Sequence, residues 1–329
     1  MYESFYHLTA MPFQLTPDSR FFFGSKGHSR AIAHLNYGLA QNEGFIVITG
    51  EVGAGKTTLV EWLRSQMDPA AFTIARVSTT QVSENDLFRL AMAGFGLQDD
   101  GIGKAALLAR FEDVLRAHQA AGRRCLLVVD EAQNLSVPAL EELRMLSNIT
   151  VDGRTSLQTI LLGQPQFRRL LASTNMDQLR QRVLTSYHLG PLSPEETQAY
   201  IEHRLHAVGW TSDPAWSGEA FAAVYAHTGG IPRRINRLCS RVLLYGALEQ
   251  THAITDAVVE ATALELSQDL EGGAEGGGVP MRNGMDMDTP AVGNGAAGAL
   301  QERVTALEHK VASRDQMFRR LSQMLGLES

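Results

Sequence analysis

Cysteine is scarce in this sequence, and the two cysteines form no pattern. Cys125 and Cys239 lie far apart in the chain, without a CxxC spacing and without clustered histidines. A disulfide-stabilised fold needs several paired cysteines, and a structural zinc site needs thiol or imidazole ligands at short, regular spacings. The sequence therefore argues against both classes, and we expect both thiols to be core residues.

Long apolar runs are also missing. No run reaches the roughly 18 to 20 residues that a membrane-spanning helix requires. Residues 1–4 lack the charged stretch and the apolar core that begin a signal peptide. We therefore expect a cytoplasmic protein with no membrane span of its own, so that any association with the inner membrane would come through a partner.

Positive charge is in deficit as well. The chain has 29 Lys and Arg against 36 Asp and Glu, which gives a net charge of −7. Proteins whose whole surface wraps nucleic acid are basic, so this balance disfavours that class, although a local basic strip could still contact DNA. The hydrophobic share of 44% and the charged share of 20% are ordinary for a globular chain of two domains.

What the sequence does contain, over residues 45–192, is an alternation of short β-rich runs with helical stretches. This order is typical of a parallel sheet covered by helices on both faces. The runs that begin at Phe45 and Cys125 are apolar throughout, as strands buried on both faces are. The predicted strands are residues 45–49, 72–78, 125–130, 159–162 and 187–189. The predicted fold class is α/β, with a five-stranded parallel sheet between helices.

Strand signals disappear over residues 192–268. Ser193 is a strong helix cap, Pro194 suits the first helical position, and Glu196 completes a capping box. A small all-helical domain should therefore follow the α/β core. We place the core with its aromatic amino-terminal segment at residues 1–191 and the helical domain at residues 192–270.

The last part of the sequence changes character twice. Nine of the thirty glycines lie in residues 272–298, so we predict a disordered linker over residues 271–298. Over residues 299–329, apolar residues follow heptad spacing, interrupted only at Arg314. These apolar residues are Leu300, Val304, Leu307, Val311, Phe318, Leu321 and Leu325. We predict an amphipathic helix that forms a short coiled coil, either with a second copy of the chain or with a partner protein; the alternative is a helix folded back on its own core.

The stretch with the clearest chemistry follows the first predicted strand. Residues 50–58 read GEVGAGKTT and match the pattern G-x-x-x-x-G-K-[ST]. In such a loop, glycines let backbone N–H groups point at phosphates near a helix N-terminus. Lys56 would reach the β- and γ-phosphates, and the Thr57 hydroxyl would bind Mg²⁺. The predicted nucleotide-binding residues are Gly50, Glu51, Val52, Gly53, Ala54, Gly55, Lys56, Thr57 and Thr58.

A second chemical signal lies at the end of the third predicted strand. Asp130 ends the apolar run and Glu131 follows it directly. Asp130 is placed to act with Thr57 on the Mg²⁺ shell, and Glu131 is placed to act on an attacking water as general base. Solvated acids at the start of a loop are the alternative. The pair predicts ATP and Mg²⁺ as cofactors, and hydrolysis rather than binding alone.

With these two motifs the chain resembles the AAA+ ATPases, and the resemblance implies further site residues. Gln164 matches sensor 1, the polar residue at the tip of the next strand. Arg182, favoured over Arg180, matches the arginine finger that reaches the γ-phosphate of a neighbouring subunit. Arg233, directly after Pro232, matches sensor 2 in a helical lid, although an exposed basic helix end is the other interpretation. The resemblance implies an oligomer with shared ATP sites.

The amino terminus narrows the resemblance. Residues 5–8 (FYHL), 11–18 (MPFQLTPD) and 28–31 (HSRA) resemble the start of ExeA-like ATPases, the general secretion pathway protein A group. The likeness covers residues 1–268, and relatives include ATPases of pilus biogenesis and of exosortase and exopolysaccharide gene clusters. The aromatic opening would pack on the sheet edge and help to wall an adenine pocket, or would be plain core packing.

The resemblance implies an ATPase that powers or regulates assembly of an envelope secretion, pilus or exopolysaccharide export system. The secretion-pathway member continues into a transmembrane helix and a peptidoglycan-binding domain; here residues 271–329 differ, so we expect a cytoplasmic or inner-membrane assembly protein as partner through the C-terminal helix. The alternative is an ATP-dependent DNA-binding regulator, such as a transposition target-selection ATPase. The acidic charge disfavours it. A nucleotide-dependent scaffold is disfavoured because Glu131 is present.

Overall fold

The computed structural model describes residues 2–16, 18–78, 83–98 and 101–272. Within these, residues 12–207 and 225–237 form one compact unit, and residues 2–11, 208–224 and 238–272 form another. The predicted linker and C-terminal helix lie outside the described residues, except that residues 271 and 272 end the last helix. The domain boundaries drawn from the sequence at residues 191 and 270 remain predictions.

Five strands form one parallel sheet, which confirms the predicted fold class. The strands of the described residues are β1 (Phe45–Gly50), β2 (Phe72–Ser78), β3 (Arg124–Asp130), β4 (Thr150–Val151), β5 (Arg154–Thr155), β6 (Leu157–Gly163), β7 (Val183–Leu189), β8 (Ala215–Trp216) and β9 (Ala253–Ile254). The order across the main sheet is β2-β3-β6-β1-β7. Strands β4 and β5 make an antiparallel pair, and β8 and β9 make a short parallel pair.

Helices connect these strands. The helices of the described residues are α1 (Tyr2–Phe5), α2 (Lys26–Gln41), α3 (Lys56–Gln66), α4 (Glu84–Gly94), α5 (Lys104–Ala120), α6 (Val137–Leu146), α7 (Pro165–Leu171), α8 (Asp177–Arg180), α9 (Pro194–His206), α10 (Gly218–Thr228), α11 (Pro232–Leu248) and α12 (Asp256–Gly272). Among them, none combines the length and the apolar character needed to cross a bilayer.

The central strands are buried on both faces because their side chains feed two separate cores. In β1, Phe45 and Val47 belong to one apolar cluster, whereas Ile46 and Ile48 belong to the other. Alternate residues of a strand point to opposite faces, so an apolar run without interruption is required wherever helices cover both sides. Cys125 is buried in the first cluster, and Cys239 is also buried, as the sequence predicted for both thiols.

Four strands, β1, β3, β6 and β7, are longer than the sequence predicted, and two strand pairs were missed. The β8–β9 pair lies within residues 192–270, so that region is mostly helical and the prediction of an all-helical domain is wrong there. Strand β7 begins four residues before the predicted 187–189, because an edge strand alternates buried with exposed side chains and lacks a continuous apolar run. The β4–β5 hairpin turns at Asp152 and Gly153, whose φ angles are 51° and 75°. An Asp-Gly pair is the usual signal for such a turn, so the sequence did carry it.

The helical prediction after residue 192 is confirmed at its first turn. The Ser193 hydroxyl accepts a hydrogen bond from the Glu196 N–H at 3.2 Å, and the Glu196 carboxylate accepts one from the Ser193 N–H at 3.1 Å. Pro194 is the first residue of α9. A backbone N–H at this position has no acceptor within the helix, so proline, which has no N–H, costs no hydrogen bond there. The capping box therefore begins α9 where the sequence placed it.

The amino-terminal aromatic residues pack in the smaller unit. Phe5 stacks on His252 with ring centroids 4.7 Å apart, and the Tyr6 hydroxyl donates to the Thr251 carbonyl at 3.0 Å. The expectation that residues 5–8 pack on the sheet edge is therefore wrong for Phe5 and Tyr6, and core packing is correct. Residues more than 240 positions apart in sequence make this contact, so no local pattern could reveal it.

Gly230 provides a test of how tightly the start of α11 is held. Its φ angle is 70°, and a Cβ atom added there would lie 2.1 Å from the Leu192 carbonyl oxygen. Gly229 also has a positive φ, 60°, but a Cβ atom there would meet nothing within 4 Å. Gly229→Ala should therefore cost about 1 kcal/mol of unfolding free energy, from the left-handed backbone alone.

Gly230→Ala should cost about 1–3 kcal/mol more than Gly229→Ala, because the backbone must also move away from Leu192. Urea unfolding of the two variants, followed by circular dichroism, measures the difference. Equal midpoints for the two variants would show that the close approach of Gly230 to Leu192 does not constrain the fold.

Candidate functional site

The loop between β1 and α3 is shaped by its glycines. Gly53 and Gly55 have φ angles of 83° and 96°, a backbone conformation that side chains disfavour. A Cβ atom on Gly53 would lie 2.3 Å from the Arg233 Cβ, and one on Gly50 would lie 2.5 Å from the Leu189 carbonyl oxygen. The loop therefore needs glycine at 53 and 55 for backbone conformation, and at 50 and 53 for close packing.

Lys56 lies at the first position of α3 and is buried, with 6% of its surface exposed. Its Nζ donates to the carbonyl oxygens of Gly50 at 2.8 Å and Glu51 at 3.0 Å. Burial lowers the pKa of the Lys56 ammonium, while the nearby carboxylates of Glu131 and Asp130 raise it. The ammonium is thus held inside the loop by weak neutral acceptors, which a phosphate can replace.

Asp130, at the end of β3, contacts one side chain from α3 and one from β2. Its Oδ2 accepts from the Thr57 hydroxyl at 2.8 Å and from the Arg76 Nη2 at 2.9 Å. Arg76 also pairs with Glu61 through Nη1 at 2.8 Å. A buried carboxylate is stable only when it is paired and hydrogen-bonded, and Arg76 and Thr57 supply both kinds of partner here. A hydroxyl oxygen and a carboxylate oxygen therefore lie side by side.

Glu131 lies next to this pair in an uncommon backbone conformation. Its φ and ψ are 54° and 40°, in the left-handed region that a residue other than glycine adopts at a cost of about 1–2 kcal/mol. The Glu131 Oε2 accepts from the Gln164 Nε2 at 3.1 Å and from the Gln133 amide. The Gln133 side chain accepts in turn from the Gln164 N–H at 2.9 Å. Two amide side chains therefore fix the Glu131 carboxylate.

A cavity of about 290 Å³ adjoins the loop, and Phe22 and His28 are among the aromatic residues that line it. Phe22 stacks on Trp62 with centroids 4.8 Å apart and meets His28 edge-on at 5.6 Å. Burial lowers the pKa of His28 to about 4, so its ring is neutral at pH 7. The His28 Nδ1 and the Ser25 hydroxyl are 2.7 Å apart, which fixes the ring beside the loop.

Arg204 and Arg233 line the same cavity from the helices that follow the sheet. Arg204 is buried; its guanidinium lies 4.5 Å from the Phe21 ring centroid and donates to the Tyr200 hydroxyl at 2.8 Å. The Arg233 backbone N–H donates to the Gly53 carbonyl at 3.1 Å, while its side chain is exposed. Arg233 is thus joined directly to the glycine loop.

Arg180 and Arg182 lie elsewhere. The register pairs Phe45 with Val183 and Gly50 with Leu189. The residues just before β7 therefore lie where the parallel strands begin, whereas the glycine loop lies where they end. That separation is about 20 Å along a six-residue strand. Arg180 pairs with Asp177 at 2.7 Å, and both arginines are exposed. Neither side chain can reach the loop of its own chain.

Comparisons with known proteins place these residues in a family. The sequence pattern of the AAA domain matches residues 39–171. General secretion pathway protein A of Aeromonas hydrophila is 37% identical over 268 residues, which are 81% of this chain and 49% of that protein.

The chain belongs to the ExeA-like AAA+ family.

This ExeA-like AAA+ chain spans about half the length of its curated relative. Its fold is similar to that of Aeropyrum pernix ORC2 in the ADP form, with a TM-score of 0.59 and 17% identity over 77% of this chain and 72% of that one. It is also similar to the Thermotoga maritima RuvB Holliday junction branch migration motor, with a TM-score of 0.51 and 19% identity over 78% and 73% of the two chains. At such identities these likenesses show the fold alone.

The structure brings most of the predicted site residues of this AAA+ chain together. Residues 50–58, Asp130, Glu131, Gln164 and Arg233 lie at one edge of the sheet, linked by the contacts above. Sequence reasoning missed Arg76 and Gln133. Arg76 lies in β2 beside Val128, so only the strand register brings it to Asp130. Gln133 carries a recognisable signal, an amide two residues after the adjacent carboxylates.

Proposed function

We propose that this ExeA-like AAA+ protein binds and hydrolyses Mg-ATP at the edge where β1, β3 and β6 end. One observation carries the proposal: the Asp130 carboxylate accepts from Thr57, while the carboxylate of the adjacent Glu131 accepts from Gln164. Two neighbouring carboxylates thus have different partners. A site that held only a nucleotide would not need the second carboxylate to be fixed in a strained backbone.

Phosphate recognition would come from the glycine loop. The Lys56 ammonium already lies inside the loop on two carbonyl oxygens, and a charged phosphate oxygen is a stronger acceptor than a carbonyl. The loop ends at the start of α3, where backbone N–H groups and the helix dipole favour an anion. The nucleotide phosphates would therefore lie over residues 53–57.

The residues present fit a magnesium ion held mainly by its substrate. Mg²⁺ is commonly bound through one or two protein oxygens together with phosphate oxygens and water. Thr57 and Asp130 offer such oxygens 2.8 Å apart, and among the described residues no group of three or more His, Cys, Asp or Glu could hold a metal. When bound, Mg²⁺ would neutralise charge on the phosphates. The ion pair between Arg76 and Asp130 would then break, and the ion pair between Arg76 and Glu61 would remain.

Glu131 would act as the general base. Its carboxylate accepts from Gln133 and Gln164, so its remaining lone pairs can orient a water toward the γ-phosphate. Gln164, proposed as sensor 1, would hold Glu131 and report on the γ-phosphate.

The aromatic wall around Phe22 and His28 would enclose the purine of the nucleotide, because a neutral aromatic surface suits a stacked purine.

Two substitutions separate binding from hydrolysis. Lys56→Ala should lose ATP binding, because the phosphates lose their charged donor, whereas Glu131→Gln should bind ATP and lower turnover by about 100-fold or more, since only the base is lost. Nucleotide binding by isothermal titration calorimetry and phosphate release measure the two effects.

Glu112→Gln on α5 is the matched control, since it removes one carboxylate from outside the site. It should leave both quantities unchanged. Wild-type turnover in Glu131→Gln would contradict the proposed base, and tight ATP binding by Lys56→Ala would contradict the proposed phosphate site.

The finger would act between subunits. Arg182 lies at the opposite edge of the sheet from its own loop, so it could reach only the site of another copy. Arg180 is paired with Asp177, whereas no ion pair of Arg182 occurs among the described residues. We therefore propose Arg182 as the finger of an oligomer with shared ATP sites, with Arg233 as sensor 2 of the same subunit.

Mixing experiments test the shared site. Arg182→Ala should bind ATP but not hydrolyse it, and adding Lys56→Ala protein should restore part of the turnover, because that protein supplies an intact Arg182. Arg180→Ala is the control and should retain activity. Absence of rescue at every mixing ratio, in confirmed oligomers, would contradict a finger supplied by the neighbour.

The biological role is proposed from the relative. Because that relative is a general secretion pathway protein, we propose that ATP turnover powers or regulates assembly of an envelope secretion, pilus or exopolysaccharide export system. The protein would be cytoplasmic and reach the inner membrane through a partner bound by residues 299–329.

DNA binding is the competing proposal. Its support is weaker because Arg233, one of the arginines of the basic helix, adjoins the glycine loop, where it would contact the nucleotide rather than DNA.

Removing residues 273–329 tests the partner proposal. The shortened protein should keep nucleotide binding, since every site residue precedes residue 273, and should lose capture of export-system proteins encoded by neighbouring genes. Co-purification with full-length protein as control measures this. Equal capture by both proteins would contradict a partner site in the C-terminal helix, and ATP-tightened DNA binding would favour the competing proposal.

A further inference from the structure

A second cleft opens at the edge of the sheet where the strands begin. Its volume is about 570 Å³, and it lies wholly in the larger unit. Four segments form its walls: residues 41–43 at the end of α2, Gln119 of α5 with residues 122–125 that lead into β3, residues 153–156 at the β4–β5 hairpin, and Gln158 in β6. It is separate from the proposed ATP site, which lies at the opposite ends of the same strands.

Three arginines line this cleft: Arg123, Arg124 and Arg154. Arg124 is fixed: its guanidinium lies 4.8 Å from the Phe72 ring centroid and donates to the Leu39 carbonyl. Arg123 and Arg154 are exposed, and among the described residues neither guanidinium has a hydrogen bond or an ion pair. Glu43 is the one carboxylate among the residues that line the cleft. The cleft is therefore positive in a chain whose net charge is −7.

The remaining polar wall is held in place by hydrogen bonds. The Gln158 Nε2 donates to the carbonyl oxygens of Gly38 at 2.7 Å and Glu43 at 2.8 Å. The Gln119 Nε2 donates to the Val151 carbonyl at 3.1 Å, and its Oε1 accepts from the Ser156 hydroxyl at 3.1 Å. These bonds join Gln158 to residues 41–43 and Gln119 to the hairpin, and the Arg124 Nη2 donates to the Gln158 Oε1 at 3.4 Å, which connects the two pairs. The cleft therefore has a built shape rather than being a gap between independent loops.

We propose that this cleft binds a small anion with two or more phosphate groups, and that Arg123 and Arg154 pair with its phosphate oxygens. A planar guanidinium donates two parallel hydrogen bonds to a phosphate, which gives both strength and orientation. Pockets for small ligands have volumes of about 300–1,000 Å³, a range that includes this cleft. Free polyphosphate and an organic bisphosphate share the chemistry that the site would recognise.

A nucleic acid fits the same residues less well. Duplex DNA is bound by basic groups spread along a groove or helix, so that successive phosphates are each contacted. Here the exposed guanidiniums of Arg123 and Arg154 belong to two segments of one concave cleft, and the Glu43 carboxylate lines the same cleft. That arrangement suits one compact anion better than a continuous backbone.

Calorimetry on the full-length protein tests the proposal, with the ATP site kept saturated by ADP in the presence of EDTA. Inorganic pyrophosphate and fructose 1,6-bisphosphate are the two probes. At least one should bind saturably to the wild type and bind at least about tenfold more weakly to Arg123→Gln/Arg154→Gln, since each lost guanidinium removes charged hydrogen bonds. Stronger binding of the bisphosphate identifies an organic ligand, and stronger binding of pyrophosphate identifies free polyphosphate.

Arg30→Gln/Arg169→Gln is the matched control, because it removes the same charge from exposed positions outside the cleft. It should bind as the wild type does, and unchanged ADP affinity in both double variants would show that they are folded. Equal probe binding by wild type and Arg123→Gln/Arg154→Gln would overturn the proposal. So would the absence of probe binding, or binding only of a DNA duplex that depends on these arginines.

Discussion

The parallel pairing of β1, β3 and β6 is the constraint on which the candidate site depends. Thr49 is paired with Gly163, and Val129 is paired with Leu161, so the three strands end at one edge. The glycine loop follows β1, Asp130 ends β3 and Glu131 follows it, and Gln164 follows β6. A shift of one residue in the register would turn Asp130 to the opposite face and separate it from Thr57. The two apolar cores oppose such a shift, because it would exchange their side chains.

Within that frame, Asp130 is the most constrained group. It is 5% exposed, and its Oδ2 is shared between a hydroxyl and a guanidinium. A buried carboxylate that loses its cation costs several kcal/mol, so a cation must be present at every stage. Arg76 supplies it in the structure. In the proposed reaction Mg²⁺ would take that role, and Glu61 would keep the guanidinium close by. The positive charge beside Asp130 would then be exchanged rather than lost.

The sequence predicted those parts of the molecule that consecutive residues determine. The sheet strands, the capping box at Ser193 and the glycine loop each depend on a local pattern whose physical reason is local as well. Arg76 and the packing of Tyr6 on Thr251 depend instead on strand register or on contacts between distant residues, and no local pattern contains that information. The predicted range of the edge strand β7 was too short because the outward side chains of this strand are polar and interrupt its apolar pattern. The Asp152-Gly153 turn, in contrast, does have a local signal, because an Asp-Gly pair favours a hairpin turn.

The central claim is that Thr57 and Asp130 hold the metal while Glu131 holds the water. A crystal structure with Mn²⁺ and a non-hydrolysable ATP analogue tests it most directly, because the anomalous signal of manganese locates the ion. The account predicts the ion beside the Thr57 hydroxyl on the side of Asp130, Arg76 withdrawn toward Glu61, and a water between Glu131 and the γ-phosphate. An ion bound by Glu131 in place of Asp130, or phosphates outside residues 50–58, would contradict it.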